Sequence, residues 1–80
     1  MTFDPTAHLL AFVLPISFKK GDITFTATRT GEDVWMPIPP TNCPRHVVST
    51  EELAKGIWRT LLYWSDGYIQ YQQEAEIHVV

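Results

Sequence analysis

The stretch VSTEELAKGIWRTLLYWSDG, Val48 to Gly67, decides how the chain is read. Its first half has the form of a helix start. Ser49 stands three residues before Glu52, the capping-box spacing in which each side chain bonds the other's backbone N–H. Val48 and Leu53 sit at the two ends of a hydrophobic staple. At helical spacing, Leu53, Ala54, Ile57, Trp58, Leu61, Leu62 and Trp64 fall on one broad face. Glu52, Lys55, Gly56, Arg59 and Tyr63 fall on the other. Ser65-Asp66-Gly67 supplies a stop, with Gly67 suited to the left-handed residue beyond a helix end. The pattern predicts one long amphipathic helix over about 50–65.

Strand patterns surround it. Ile23, Phe25 and Ala27 alternate with Thr24, Thr26 and Thr28, a half-buried β pattern. Thr30-Gly31-Glu32-Asp33 then turns the chain into Val34-Trp35-Met36, the returning strand of a hairpin. Pro37, Pro39, Pro40 and Pro44 make 39–46 a stiff loop. After Gly67, positions 69, 71, 75, 77 and 79 are Ile, Tyr, Ala, Ile and Val, with mostly Gln, Glu and His between them, which argues for a strand. At the amino end, Asp4-Pro5 opens a short helix over about 5–13; the alternative is an edge strand Phe12–Phe18 turning through Lys19-Lys20-Gly21-Asp22. The expected fold is α+β: a small two-layer sandwich, with an antiparallel sheet of three to four strands packed on the long helix, as a single domain over 1–80.

A chain of 80 residues buries only about 60–65% of its unfolded surface, so nearly every apolar residue is needed for a core. With 45% hydrophobic and 19% charged residues, the composition excludes a disordered tail, a collagen-like rod and a coiled coil. Six Lys and Arg against nine Asp and Glu give a net charge of −3, which argues against a generic cationic binder of nucleic acid or membrane. Cys43 is the only cysteine, so no intramolecular disulfide forms, and a reducing cytosol is expected. The apolar run Leu9–Leu14 ends at Pro15 and lacks a preceding Lys or Arg, which fits neither a membrane span nor a signal peptide. The expected compartment is the cytoplasm.

Little in the chain points to catalysis. Cys43 and His46 have the spacing of half a zinc site, but His8 and His78 are isolated and no second pair exists. Arg45 and His46 lie near the Cys43 thiol, yet one small domain offers little room for a walled substrate pocket. Glu51-Glu52 matches a helix amino end, and Glu32-Asp33 matches a turn. Glycine-rich phosphate loops are absent. No metal, cofactor or enzymatic activity is expected.

Charge asymmetry remains. Residues 1–48 hold four acids and four bases, whereas 49–80 hold five acids and only Lys55 and Arg59. Tyrosines lie among the carboxylates, and Trp35 has the opposite parity to Val34 and Met36. Aromatic side chains beside carboxylates suit a protein interface. The leading expectation is a non-enzymatic protein-binding module, an inhibitor of the phage or plasmid type (anti-CRISPR-like). It would cover a basic, nucleic-acid-binding surface with Glu74, Glu76, Asp66, Tyr68, Trp35 and Tyr63. Two alternatives stand beside it. One is a nucleic-acid-binding accessory protein using Lys19, Lys20, Arg29 and Arg45; the other is a structural subunit that forms a homo-oligomer. In the leading reading the chain is a monomer or weak homodimer, without membrane or direct nucleic-acid contact.

Overall fold

Gly56 has a φ of +137°, whereas helical residues lie near −60°. The computed structural model, which describes residues 1–15, 18–40 and 43–80, therefore contains no helix over 50–65. Instead a short turn leads into an extended strand, Gly56–Ser65. The expected cap residues take other roles. Ser49 Oγ accepts the Glu51 N–H at 3.3 Å. The Thr50 N–H donates to the His8 carbonyl at 2.8 Å, and the Leu53 N–H donates to the Thr50 carbonyl at 3.1 Å. Ile57, Trp58, Thr60, Tyr63 and Trp64 are β-branched or aromatic, types that lose rotamer freedom in a helix and pack well on a pleated surface.

The α+β expectation is thus corrected to an all-β fold of seven strands in two antiparallel sheets, with no helix among the described residues. The strands are β1 (Thr2–Asp4), β2 (Leu9–Val13), β3 (Lys20–Ala27), β4 (Asp33–Pro37), β5 (Arg45–Ser49), β6 (Gly56–Ser65) and β7 (Gln70–Val79). The smaller sheet has the order β1-β2-β5, and the larger has the order β4-β3-β6-β7.

The amino-terminal helix over 5–13 is also absent. The Asp4 carboxylate accepts the N–H groups of Thr6 and Ala7 at 3.0 and 3.1 Å, which tightens a turn rather than capping a helix. His8 completes that turn at φ +55°, and β2 follows. Of the alternative strand Phe12–Phe18, Phe12 and Val13 belong to β2, and Ile16 and Ser17 lie outside the described residues. The stiff loop expected over 39–46 is shorter, because Arg45 and His46 already belong to β5; Thr41 and Asn42 lie outside the described residues.

Both sheets contribute to one core. Leu10 and Phe12 from β2 join Ile23 and Phe25 from β3, Trp58 and Leu62 from β6, and Ile77 and Val79 from β7. In the larger sheet the register sets Phe25 opposite both Val34 and Thr60, and Trp58 opposite both Ala27 and Ile77. The buried Trp58 ring N–H donates to the Ala54 carbonyl at 2.8 Å, which meets the need of a desolvated indole for an acceptor.

Gly56→Ala tests the architecture by the sign of its effect. In a helix interior the change stabilises by about 1 kcal/mol; at a positive φ reserved for glycine it costs about 1–3 kcal/mol. No atom lies within 4 Å of the added methyl, so backbone strain alone acts. The expected result is destabilisation, measured by urea unfolding.

Candidate interaction face

Because side chains alternate across a strand, the core residues of the larger sheet determine which residues face out. Three rows run across β4-β3-β6-β7 on the outward face: Pro37-Asp22-Tyr63-Gln72, Trp35-Thr24-Leu61-Glu74 and Asp33-Thr26-Arg59-Glu76. Ile57 and His78 form a further pair beyond them. Strands lie about 4.8 Å apart, so Trp35 and Glu74 stand about 14 Å from each other along one row. The face covers on the order of 500 Å², comparable with one side of a modest protein interface.

Four of the six residues singled out in the sequence, Trp35, Tyr63, Glu74 and Glu76, share this face and are exposed. Trp35 is 61% exposed, while its neighbours Val34 and Met36 are half-buried. The other two residues lie elsewhere. Asp66 and Tyr68 belong to the turn between β6 and β7, and the Tyr68 side chain is 97% exposed.

Asp66 organises its own turn. Its Oδ1 accepts the N–H of Tyr68 at 2.8 Å and that of Ile69 at 2.9 Å. These bonds, that from Ile69 first, hold the carboxyl below its ordinary pKa. Gly67 follows at φ +99°, and its N–H donates to Ser65 Oγ at 3.0 Å. The carboxylate is therefore already engaged in local structure.

Residues missed in the sequence reading complete the face. Arg59 Nε lies 3.1 Å from Glu74 Oε1, a diagonal pair across β6 and β7 that is open to solvent and contributes below about 1 kcal/mol. Thr26 Oγ1 donates to Asp33 Oδ1 at 2.6 Å. Asp22 faces outward between Pro37 and Tyr63. With Glu74 and Glu76, Asp22 and Asp33 outnumber Lys20 and Arg59 on this face. Among the described residues, Glu76 has no cation within ion-pair distance. The misplaced helix hid Arg59; the alternation Trp58, Thr60, Leu62, Trp64 against Ile57, Arg59, Leu61, Tyr63 was the available signal.

One end of the face is different. Lys19, Lys20, Asp22, Trp35, Tyr63 and Tyr71 line an open cleft of about 640 Å³. Tyr71 stacks on Trp64 with ring centroids 4.1 Å apart, which stiffens one wall. The other two cations of the nucleic-acid alternative do not join the cleft. Arg29 lies in the turn beyond the opposite end of β3, a strand about 24 Å long at strand rise, and Arg45 belongs to the smaller sheet.

The two residues of the half zinc site differ in setting. Cys43 is exposed, whereas the His46 ring stacks on Phe12 with centroids 5.4 Å apart and meets Phe18 edge-on. Among the described residues no three of His, Cys, Asp and Glu gather as a metal site requires. No helix among them is long and apolar enough to cross a membrane. Comparison with protein-family models, curated proteins and solved structures finds no match.

Replacing Asp66 with Ala should free the Tyr68 and Ile69 amides and raise their hydrogen-exchange rates while β3 exchange stays unchanged. The pH dependence has a definite sign. A carboxyl whose folded pKa is depressed stabilises above its unfolded pKa and ceases to do so as pH falls through the folded value. Turn protection should therefore survive at neutral pH and fade only below the usual carboxylate range.

Proposed function

We propose that the chain is a non-enzymatic binding module whose outward sheet face docks on a basic surface of a partner protein in a reducing compartment. The supporting observation is the register that gathers Trp35, Tyr63, Glu74 and Glu76 on one exposed face. Trp35 and Tyr63 act as rigid anchors of large area, and the carboxylates supply the attraction. Asp22 and Asp33 add to the field, while Asp66 shapes the adjoining turn. Coverage of a Lys/Arg-lined groove would block nucleic acid by steric exclusion and charge competition together.

Partner proteins retained by the immobilised chain from a bacterial lysate supply the test. Neutralising both acids (Glu74→Gln with Glu76→Gln) should slow association several-fold at low salt and flatten its salt dependence, because steering falls with the charge that produces it. Trp35→Ala should act mainly on dissociation. Unchanged association kinetics in the double variant would remove the electrostatic mechanism.

The cleft favours a second reading, a short single-stranded nucleic acid. Lys19 and Lys20 stand beside Trp35 and Tyr63 there, the pairing of cation and stacking surface that single strands use. A gel shift at low salt with a labelled oligonucleotide separates the two readings. The docking reading expects no shift, whereas the nucleic-acid reading expects one that Lys19→Ala with Lys20→Ala abolishes.

A further inference from the structure

The strand edges of the two sheets are unequal. β1 has three residues, β5 has five and follows Pro44, and β4 has five and ends in Pro37. Short strands and prolines are the ordinary means by which an edge is made unfit for further pairing. β7 is the fourth edge, and it runs unbroken for ten residues without proline, glycine or lysine. Along it, every second residue presents its N–H and C=O away from β6, unpaired within the sheet.

A second copy fits this edge poorly. Antiparallel self-pairing about a two-fold axis sets residues of the same face opposite each other. The two longest registers of β7 on itself place Glu74 opposite either Glu74 or Glu76 of the other copy. Like charges directly opposed on a sheet are destabilising. The same two carboxylates favour a strand with cations at alternating positions, since Glu74 and Glu76 lie two residues apart on one face and Arg59 engages only Glu74. On the inward face of β7, Gln73 lines a groove of about 370 Å³ with Met1 and with Ala11, Val13 and Arg45 of the smaller sheet, so the cations of an added strand belong on the opposite face, beside Glu74 and Glu76. The inward side chains of an added strand would lie on that side.

We infer that the free edge of β7 accepts an extended segment of a partner protein as an additional antiparallel strand, with Lys or Arg at alternating positions beside Glu74 and Glu76. This rests on the proposed docking to a basic partner and specifies its form: main-chain pairing supplies affinity, and the two carboxylates select the charge pattern.

The test uses the intact ¹⁵N-labelled chain and end-blocked decapeptides. A peptide of alternating lysine and threonine should bind in a salt-sensitive manner and slow hydrogen exchange at alternate β7 amides. A peptide of alternating glutamate and threonine should not. Methylating every second backbone nitrogen of the lysine peptide keeps its charge but removes half of its donors. One of the two methylated frames should lose affinity by roughly tenfold or more. If both methylated peptides bind like the parent and β7 exchange is unchanged, the edge is not the site, yet docking of basic partners on the face stands. If the lysine peptide fails to bind, the edge inference falls, and the face is judged separately from the association kinetics of the doubly neutralised variant. Alternate β7 amides whose protection rises with protein concentration alone would show a second copy on the edge and overturn the assignment.

Discussion

The position of β6 between β3 and β7 is the constraint on which the larger sheet depends. From Trp58 to Ser65 one side of β6 pairs with β3, and from Gly56 to Ser65 the other side pairs with β7. Every backbone polar group buried along it thus has a ladder available on either side. Its alternate side chains Trp58, Thr60 and Leu62 are buried in the core, and the register carries Arg59 and Tyr63 to the opposite face. Moving β6 by one residue would exchange these two sets and leave Trp58 in water.

The candidate interaction face follows from the same alternation. A sheet with one face in the core must present its other face to solvent, and here that face carries large aromatics among carboxylates. The proposed docking draws on that surface: two exposed aromatic side chains of large area, a modest excess of carboxylates and the edge of β7 beside them.

The strand at Val34-Trp35-Met36 and the one over about 69–79 are legible in the sequence because each segment has one wet side. Gln70, Gln72, Glu74, Glu76 and His78 alternate with Ala75, Ile77 and Val79, and Trp35 stands between the half-buried Val34 and Met36. That placed Trp35, Glu74 and Glu76 outward before any pairing was known. Asp22, Asp33 and Arg59 cannot be assigned to that face from the sequence, because joining them to it requires knowing which strands are neighbours. Lys19 and Lys20 were legible as cations, but their place beside Trp35 and Tyr63 depends on the pairing of β3 with both β4 and β6.

Segment 56–65 shows where local reading stops. Ile57, Leu61 and Tyr63 make its outward side nearly as apolar as its inward side, so the period of two is blurred and a helical stripe fits equally well. The Ser49/Glu52 spacing then tips a local reading toward a helix, although Gly56 within the pattern argues against one. By itself the sequence determined the segments with one wet and one dry side and the excess of acid in the second half, whereas Asp4 and Asp66, which it marks as a helix start and a helix stop, hold turns between strands. Only the tertiary structure decided that 56–65 is extended, because the partners that make a central strand favourable, β3 and β7, lie far from it along the chain or on its other side.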